Sequence, residues 1–274
     1  MRTRIITALV GLVLILPILI YSDTVLFNIF IAALSVIGVY EFLKCTDELK
    51  NKYVTVPAFI MSVLIPFIFR TEKLFGITVD GVKLCVCTVL IYVFISFALS
   101  VFSKGKNDII KASFSALMCV YIVCGFSAII LIRDMTDGAV FYPLIFVSAW
   151  STDIFAYFSG MLFGKHKLIP DVSPKKTVEG AIGGIVGNAV CFLIYSVLFL
   201  DLVTTQYIFL IAMAPFASVI SQIGDLLMSL VKRKFGIKDF GKLLPGHGGI
   251  LDRFDSIIAV SLFLSIVCGV MSVI

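Results

Sequence analysis

The residues best suited to chemistry lie near the C-terminal end of the chain. Residues 229–255, SLVKRKFGIKDFGKLLPGHGGILDRFD, carry six Lys or Arg, three Asp and five Gly between two apolar segments, and no other stretch is as polar. Lys and Arg suit phosphate, clustered carboxylates suit a divalent cation, and glycines let backbone N–H groups approach an anion closely. The composition points to a metal-assisted nucleoside-phosphate site. Around it, Asp225, Ser229 and Lys232 fall at i, i+4 and i+7, so a helix would present a carboxylate, a hydroxyl and an ammonium on one face. Asp252 and Asp255 are spaced i, i+3 at the start of the last apolar run, where carboxylates also suit the positive end of a helix. The three carboxylates of Asp225, Asp252 and Asp255 are expected to converge on metal. Ordinary capping is an alternative for Asp252 and Asp255, and basic cytoplasmic loops arise for topological reasons alone. Neither explains Asp225 near the end of an apolar helix, nor His247 between Pro245-Gly246 and Gly248-Gly249.

A second polar anomaly is Trp150-Ser151-Thr152-Asp153 inside an otherwise lipid-compatible run. Asp153 is a candidate to face a polar cavity or a cationic partner. After that run comes SPKKTVEG, residues 173–180. Ser173 is expected to cap a helix with Pro174 at its first position, so that the helix end, with Lys175, Lys176 and Thr177, forms an anion site. His166 reads as a solvated loop residue.

Positioning these groups falls to helices in lipid. Hydrophobic residues make up 60% of the 274 positions against 14% charged, with a mean hydropathy of +1.12, well outside the range of soluble domains. The expected fold is all-α, a polytopic integral membrane protein. Nine runs near 5–21, 25–43, 54–69, 82–102, 109–132, 141–163, 178–200, 206–228 and 256–273 have about the 17 to 25 residues that a bilayer requires. The first follows Arg2 and Arg4 and reads as a retained helix, because no small-residue cleavage site follows it. With nine spans, all of the 22 Lys and Arg except Arg70, Lys73, Lys83 and Arg133 fall on one side, which sets the N-terminus and the catalytic loops in the cytoplasm and the C-terminus outside. The net charge of +5 is thereby accounted for without nucleic acid.

The seven cysteines lie mostly within apolar runs and read as inert thiols. Gly180, Gly183, Gly184 and Gly187 give two overlapping G-x-x-x-G spacings, read as helix packing in lipid. No internal repeat is visible. One membrane domain over 1–274 is expected, with N-terminal helices of unassigned role over 1–105 and a motif-bearing core over 140–274.

The run S-x-x-K-R-x-x-x-x-K-D-x-G-x-x-L-P-x-H-G-G-x-x-D-R-x-D over 229–255 resembles the signature of the phosphatidate cytidylyltransferases, the CDP-diacylglycerol synthases. The SPKKT-x-EG segment, the region 153–164 and the multi-span architecture resemble that family too. The likeness covers most of 140–274, whereas the first half shares mainly hydropathy and a basic start.

The resemblance implies transfer of a cytidylyl group from CTP to phosphatidic acid, giving CDP-diacylglycerol and pyrophosphate, with Mg²⁺ required and room for a monovalent cation such as K⁺. The family's metal positions would fall on Asp225 and Asp252, with Asp255 close by as a further ligand. Lys232, Arg233, Lys238 and Arg253 are candidates for the phosphates, as are Lys175, Lys176 and Thr177, with Ser173 and Asp153 beside them. Ser229 would hydrogen-bond within the site and His247 would orient a phosphate or shape the loop. A bacterial inner membrane is the expected location, and a homodimer is compatible with the architecture. Two other readings fit less well: a cytidylyltransferase for another lipid phosphate, and a transporter, which would show repeated halves and polar breaks at mid-membrane.

Overall fold

The computed structural model describes residues 17–103 and 108–272. Helix dominates: α1 (Val25–Cys45), α2 (Lys52–Ile68), α3 (Thr71–Phe75), α4 (Gly81–Phe102), α5 (Ile109–Arg133), α6 (Gly138–Phe141), α7 (Pro143–Phe163), α8 (Val178–Phe199), α9 (Thr204–Lys234) and α10 (Leu251–Met271). Two short strands, β1 (Lys167–Ile169) and β2 (Ser173–Thr177), lie between α7 and α8. Among the described residues, seven helical segments are long and apolar enough to cross a bilayer, one of them running from Gly138 to Phe163 through α6 and α7. The protein is a polytopic integral membrane protein. The helix expected near 54–69 forms as α2, which has 17 residues and two internal prolines, Pro57 and Pro66. Most of the run expected at 5–21, with Arg2 and Arg4, lies outside the described residues, as do Lys104 and Lys106.

Local chemistry sets several helix starts. Asn51 caps α2 by accepting from the backbone N–H of Tyr53 at 3.2 Å. Asp80 caps α4 by accepting from Val82 and Lys83, and the Lys83 N–H holds its carboxyl below the usual range. At 31 residues α9 rises about 45 Å, more than the ~30 Å hydrocarbon layer, and its C-terminal end is basic. That end bears Lys232, Arg233 and Lys234, favourable at the negative end of the helix, and Gly236 stops it with φ of +67°.

The chain divides into two compact units, one comprising Met1–Ile130 with Ile237–Arg253, the other Leu131–Gly236 with Phe254–Ile274. In the first, α1 packs Phe27, Ile31 and Phe42 into a core shared with Met61 and Ile65 of α2 and Ile122 and Phe126 of α5. Gly38 lets α1 approach α5 and Leu251, since a side chain there would press on Ile122, Phe126 and Leu251. Arg70 is buried in this unit, donating to Asn28 Oδ1 at 2.8 Å and to the carbonyls of Ser22 and Thr24.

In the second unit α8 packs closely on α7. A Cβ at Gly183 or Gly187 would overlap Ser159 or Phe155, and one at Gly184 would crowd the Thr152 carbonyl, so the small-residue spacing serves helix contact as expected. Buried hydrogen bonds tie α7 and α8 to each other and to α9: Ser151 Oγ donates to Asn188 Oδ1 at 3.0 Å, Asn188 Nδ2 to the Ala214 carbonyl at 2.7 Å, and Thr152 Oγ1 to Ser218 Oγ at 3.0 Å.

One local expectation is overturned. Ser173 and Pro174 do not begin a helix; they lie in β2, which pairs antiparallel with β1 in the register Lys167 to Thr177 and Ile169 to Ser173. Helix α8 starts at Val178, and Thr177 caps it by accepting from the Gly180 N–H at 3.1 Å. Both Ser-Pro and Thr-Val-Glu-Gly carry a cap signal. The second prevails because β1 supplies backbone partners for residues 173–177, and proline is tolerated in so short an edge strand. His166 is an exposed loop residue as expected; its Nδ1 also meets Glu179 Oε1 at 2.6 Å, and Glu179 accepts the N–H groups of Lys165 and His166.

Candidate active site

Within the second unit, α9 delivers Asp225, Ser229 and Lys232 on one face. Ser229 Oγ donates to Asp225 Oδ1 at 3.3 Å, the i, i+4 relation that the helix period requires. The other carboxylate oxygen, Oδ2, pairs with Lys176 Nζ at 2.6 Å. Lys176 comes from β2, so the hairpin that replaces the expected helix start aims this ammonium at α9. Both partners keep about a quarter of their side-chain surface accessible, 25% and 27%, which leaves the pair open to exchange with solutes.

Asp255 joins from α10. The helices meet at Gly224, where a Cβ would overlap Ala259 and the Asp255 carbonyl, so the missing side chain lets Asp255 come close to Asp225. Asp225, Lys232 and Asp153 are the charged groups that act on Asp255 electrostatically. Arg233 Nε reaches the Val172 carbonyl at 3.4 Å.

A cavity of about 330 Å³ adjoins this cluster, within the size range of small-molecule sites. Asp153, Lys175, Lys176 and Thr177 line it, and Tyr157 and Met161 complete an apolar wall. Those last two are 67% and 61% exposed on the outer surface of α7, so polar and lipid-compatible surfaces meet at one opening. Ser173 sits half-buried at the strand end and is not among the lining residues.

The remaining predicted residues belong to the first unit. Residues 240–250 form a loop closed by Asp252 in the first turn of α10, whose Oδ2 accepts the backbone N–H of Phe240 at 2.8 Å and of Gly249 at 3.0 Å. Within it Leu244 and Gly248 bridge, and the His247 N–H donates to the Leu244 carbonyl at 2.8 Å. Gly248 has φ of +86°, and a Cβ there would press on the Asp252 carboxylate. His247 buries its Nδ1 with no hydrogen-bond partner among the described residues, while Lys238 and Arg253 are exposed.

One residue of this unit carries no motif in the sequence. Glu41, 3% exposed in α1, accepts the N–H of Ile250 through Oε1 at 3.0 Å and of Leu251 through Oε2 at 2.9 Å. The signal that could have found it is an acidic side chain inside a run otherwise fit for lipid, the same signal that singles out Asp153.

Among the described residues no three His, Cys, Asp or Glu side chains form a ready metal cage. The donor chemistry nevertheless fits Mg²⁺, which takes hard oxygen ligands and is commonly held by one or two carboxylates plus substrate phosphates. Asp225 and Asp255 supply such a pair, with Lys176 and Lys232 as the cations at hand.

The second unit thus sets carboxylates and ammonium groups beside a cavity with an apolar wall, on a polytopic membrane fold. The sequence model of the cytidylyltransferase family matches residues 2–271. The chain is 36% identical over 268 residues to a phosphatidate cytidylyltransferase of Staphylococcus haemolyticus (strain JCSC1435), covering 97% of this chain and 98% of that one. It is 34% identical to that of Staphylococcus saprophyticus subsp. saprophyticus and 35% identical to that of Staphylococcus aureus (strain COL), in both cases over 266 residues, 97% of this chain and 98% of the relative. The chain belongs to the cytidylyltransferase family.

Proposed function

We propose that the chain transfers the cytidylyl group of CTP to phosphatidic acid, giving CDP-diacylglycerol and pyrophosphate in phospholipid biosynthesis. The single observation that carries this reading is the Lys176–Asp225 pair beside a cavity whose other wall is the exposed apolar face of α7. Such an opening suits a substrate with a phosphate head and hydrocarbon tails. The relatives named as phosphatidate cytidylyltransferases support the same substrates.

In this reaction a phosphate oxygen of the lipid attacks the α-phosphorus of CTP in line. The new bond joins that oxygen to the α-phosphorus, and the bond from the α-phosphorus to the bridging oxygen breaks to release pyrophosphate. The nucleophile is already anionic at neutral pH, so no general base is required, and His247 serves to orient a phosphate. The barrier lies in bringing two anions together and in stabilising the departing charge. Lys175 and Lys176 hold the lipid phosphate or the triphosphate at the cavity wall. Lys232, Arg233, Lys238 and Arg253 are assigned to phosphate oxygens, and Ser229 fixes the Asp225 carboxylate. Mg²⁺, when bound, supplies charge neutralisation of the phosphates, with Asp225 and Asp255 to hold it. Asp252, which the resemblance pairs with Asp225 as a metal position, also shapes the glycine loop, and a monovalent cation is compatible with the same chemistry.

We place the catalytic loops on the cytoplasmic side of a bacterial inner membrane, on the strength of the Lys and Arg distribution. The topology proposed is nine spans, with α2 and the run at 5–21 added to the seven long helices. The decisive experiment is CDP-lipid formation by purified protein in micelles of phosphatidic acid with CTP and Mg²⁺. The expected outcome is product with CTP but not with ATP or GTP, abolished by EDTA and restored by Mg²⁺. Nucleotide binding without product would redirect the search to another lipid phosphate, and no nucleotide binding would sink the reading.

A further inference from the structure

We infer that Glu41, contributed by the N-terminal half of the chain, is a positioning residue for the glycine loop and for the first turn of α10 that carries Asp252. This rests on the reading of the loop as part of the proposed site.

The start of a helix leaves backbone N–H groups without intrahelical partners. At α10 two of them, from Ile250 and Leu251, are taken by the two oxygens of Glu41, one each. A carboxylate at this end also complements the helix dipole. Asp252 then takes the Gly249 N–H and, across the loop, the Phe240 N–H. Two carboxylates thus account for three consecutive amides, 249–251, and fix the loop backbone at both ends.

The glycines of the motif report the same arrangement. A Cβ at Gly241 or at Gly249 would overlap the Glu41 carboxylate. Those two glycines are therefore required not for a left-handed backbone but because the carboxylate occupies the space that a side chain would take. Loop and Glu41 form one fitted unit, although 209 positions separate Glu41 from Ile250. A carboxylate in a membrane helix is costly unless matched, and it is matched here by amides at a helix start, which the helix itself leaves unpaired. The N-terminal helices thereby acquire a role, because α1 is the rigid element on which the loop is seated.

Removing one oxygen acceptor should move the loop rather than unfold the helix. Glu41→Gln keeps one acceptor and turns a donor toward the second N–H, while Glu41→Asp keeps both acceptors but shortens the reach. The expected result for Glu41→Gln is turnover about 10- to 100-fold lower, a loss typical of misplacing a catalytic group by an ångström or less, with the KM for CTP within about 2-fold of wild type. Glu41→Asp should recover part of that turnover. Turnover is normalised to the number of CTP molecules bound per chain, so that a variant merely less stable shows unchanged turnover per competent site. That result would overturn the proposal.

Should Glu41→Gln fail to fold, Gly241→Ala presses on the same carboxylate from the loop side and is expected to give the same kcat-selective loss. Amide hydrogen exchange on the wild type provides an independent reading. Slow exchange at Ile250 and Leu251 is expected, and fast exchange there would refute the positioning role. If the wild type formed no CDP-lipid, the activity reading would fall, while the exchange result would still decide whether Glu41 seats the loop.

Discussion

Two regions of the molecule hold carboxylates inside a membrane protein, and they hold them differently. In the second unit Asp225 is met by side chains, the Lys176 ammonium and the Ser229 hydroxyl, with Asp255 and Lys232 nearby. In the first unit Glu41 and the Oδ2 oxygen of Asp252 are met by backbone N–H groups. A side-chain ammonium can swing away when a phosphate or metal arrives, whereas a backbone amide in a closed loop cannot. The first kind of partnership suits a carboxylate that exchanges ligands during turnover. The second suits one that keeps a loop in shape. On the proposed reading, the same carboxylate chemistry serves reaction in one place and loop architecture in another, and the partner distinguishes them.

The strongest way to break this contrast is Asp225→Asn. It conserves shape and the Ser229 contact while removing the charge, and turnover at saturating Mg²⁺ is expected to fall about 100-fold or more, with thermal stability little changed. Near-normal turnover would show that Asp225 is as architectural as Glu41. Next comes Gly187→Leu, which drives a side chain into Phe155 at the α7–α8 contact. Overpacking of this kind costs about 1–3 kcal/mol or more, so a lowered unfolding midpoint in detergent is expected, with activity lost in proportion to folded protein. A variant as stable as wild type would mean that the two helices are not held as closely as the glycines imply.

Much of this was legible in the sequence, and what was not has a physical reason. The Asp225–Ser229 relation follows from helix period alone, and the glycine spacing of α8 reported its own contact, because both are local. The Lys176–Asp225 pair was not legible as a pair. Lys176 and Asp225 each stand out for charge, but the β1–β2 hairpin that brings them together depends on strand pairing, which the Ser-Pro cap signal concealed. Glu41 was hidden for a related reason. Its partners are backbone amides far along the chain, and amides carry no residue-type signal. The glycines at 241 and 249 were visible, yet composition assigned them to phosphate approach, whereas the structure shows a carboxylate filling the space beside them.

Lys176→Ala sharpens the comparison from the cation side. If Lys176 is an exchangeable partner of Asp225, its removal frees that carboxylate for metal while depriving a substrate phosphate of a charge. The Mg²⁺ concentration for half-maximal activity should fall, and the KM for CTP or for the lipid should rise about 10-fold, the loss typical of one hydrogen bond to a charged group. An increase in the Mg²⁺ requirement would instead mean that Lys176 holds Asp225 in place, as the amides hold Glu41.

The smallest effect expected tests Thr177, which both caps α8 and lines the cavity. Loss of a cap costs about 1 kcal/mol, so Thr177→Ala should lower the unfolding midpoint slightly, and Thr177→Ser, which keeps the acceptor for Gly180, should restore it. If the hydroxyl serves only the helix, KM values for both substrates stay within about 2-fold in each variant, since a bond worth ~1.4 kcal/mol to a substrate would change KM about tenfold. A KM rise in Thr177→Ala that Thr177→Ser reverses would give the hydroxyl a substrate phosphate as well. The division between exchanging and fixed partners would then run through one side chain rather than between two regions.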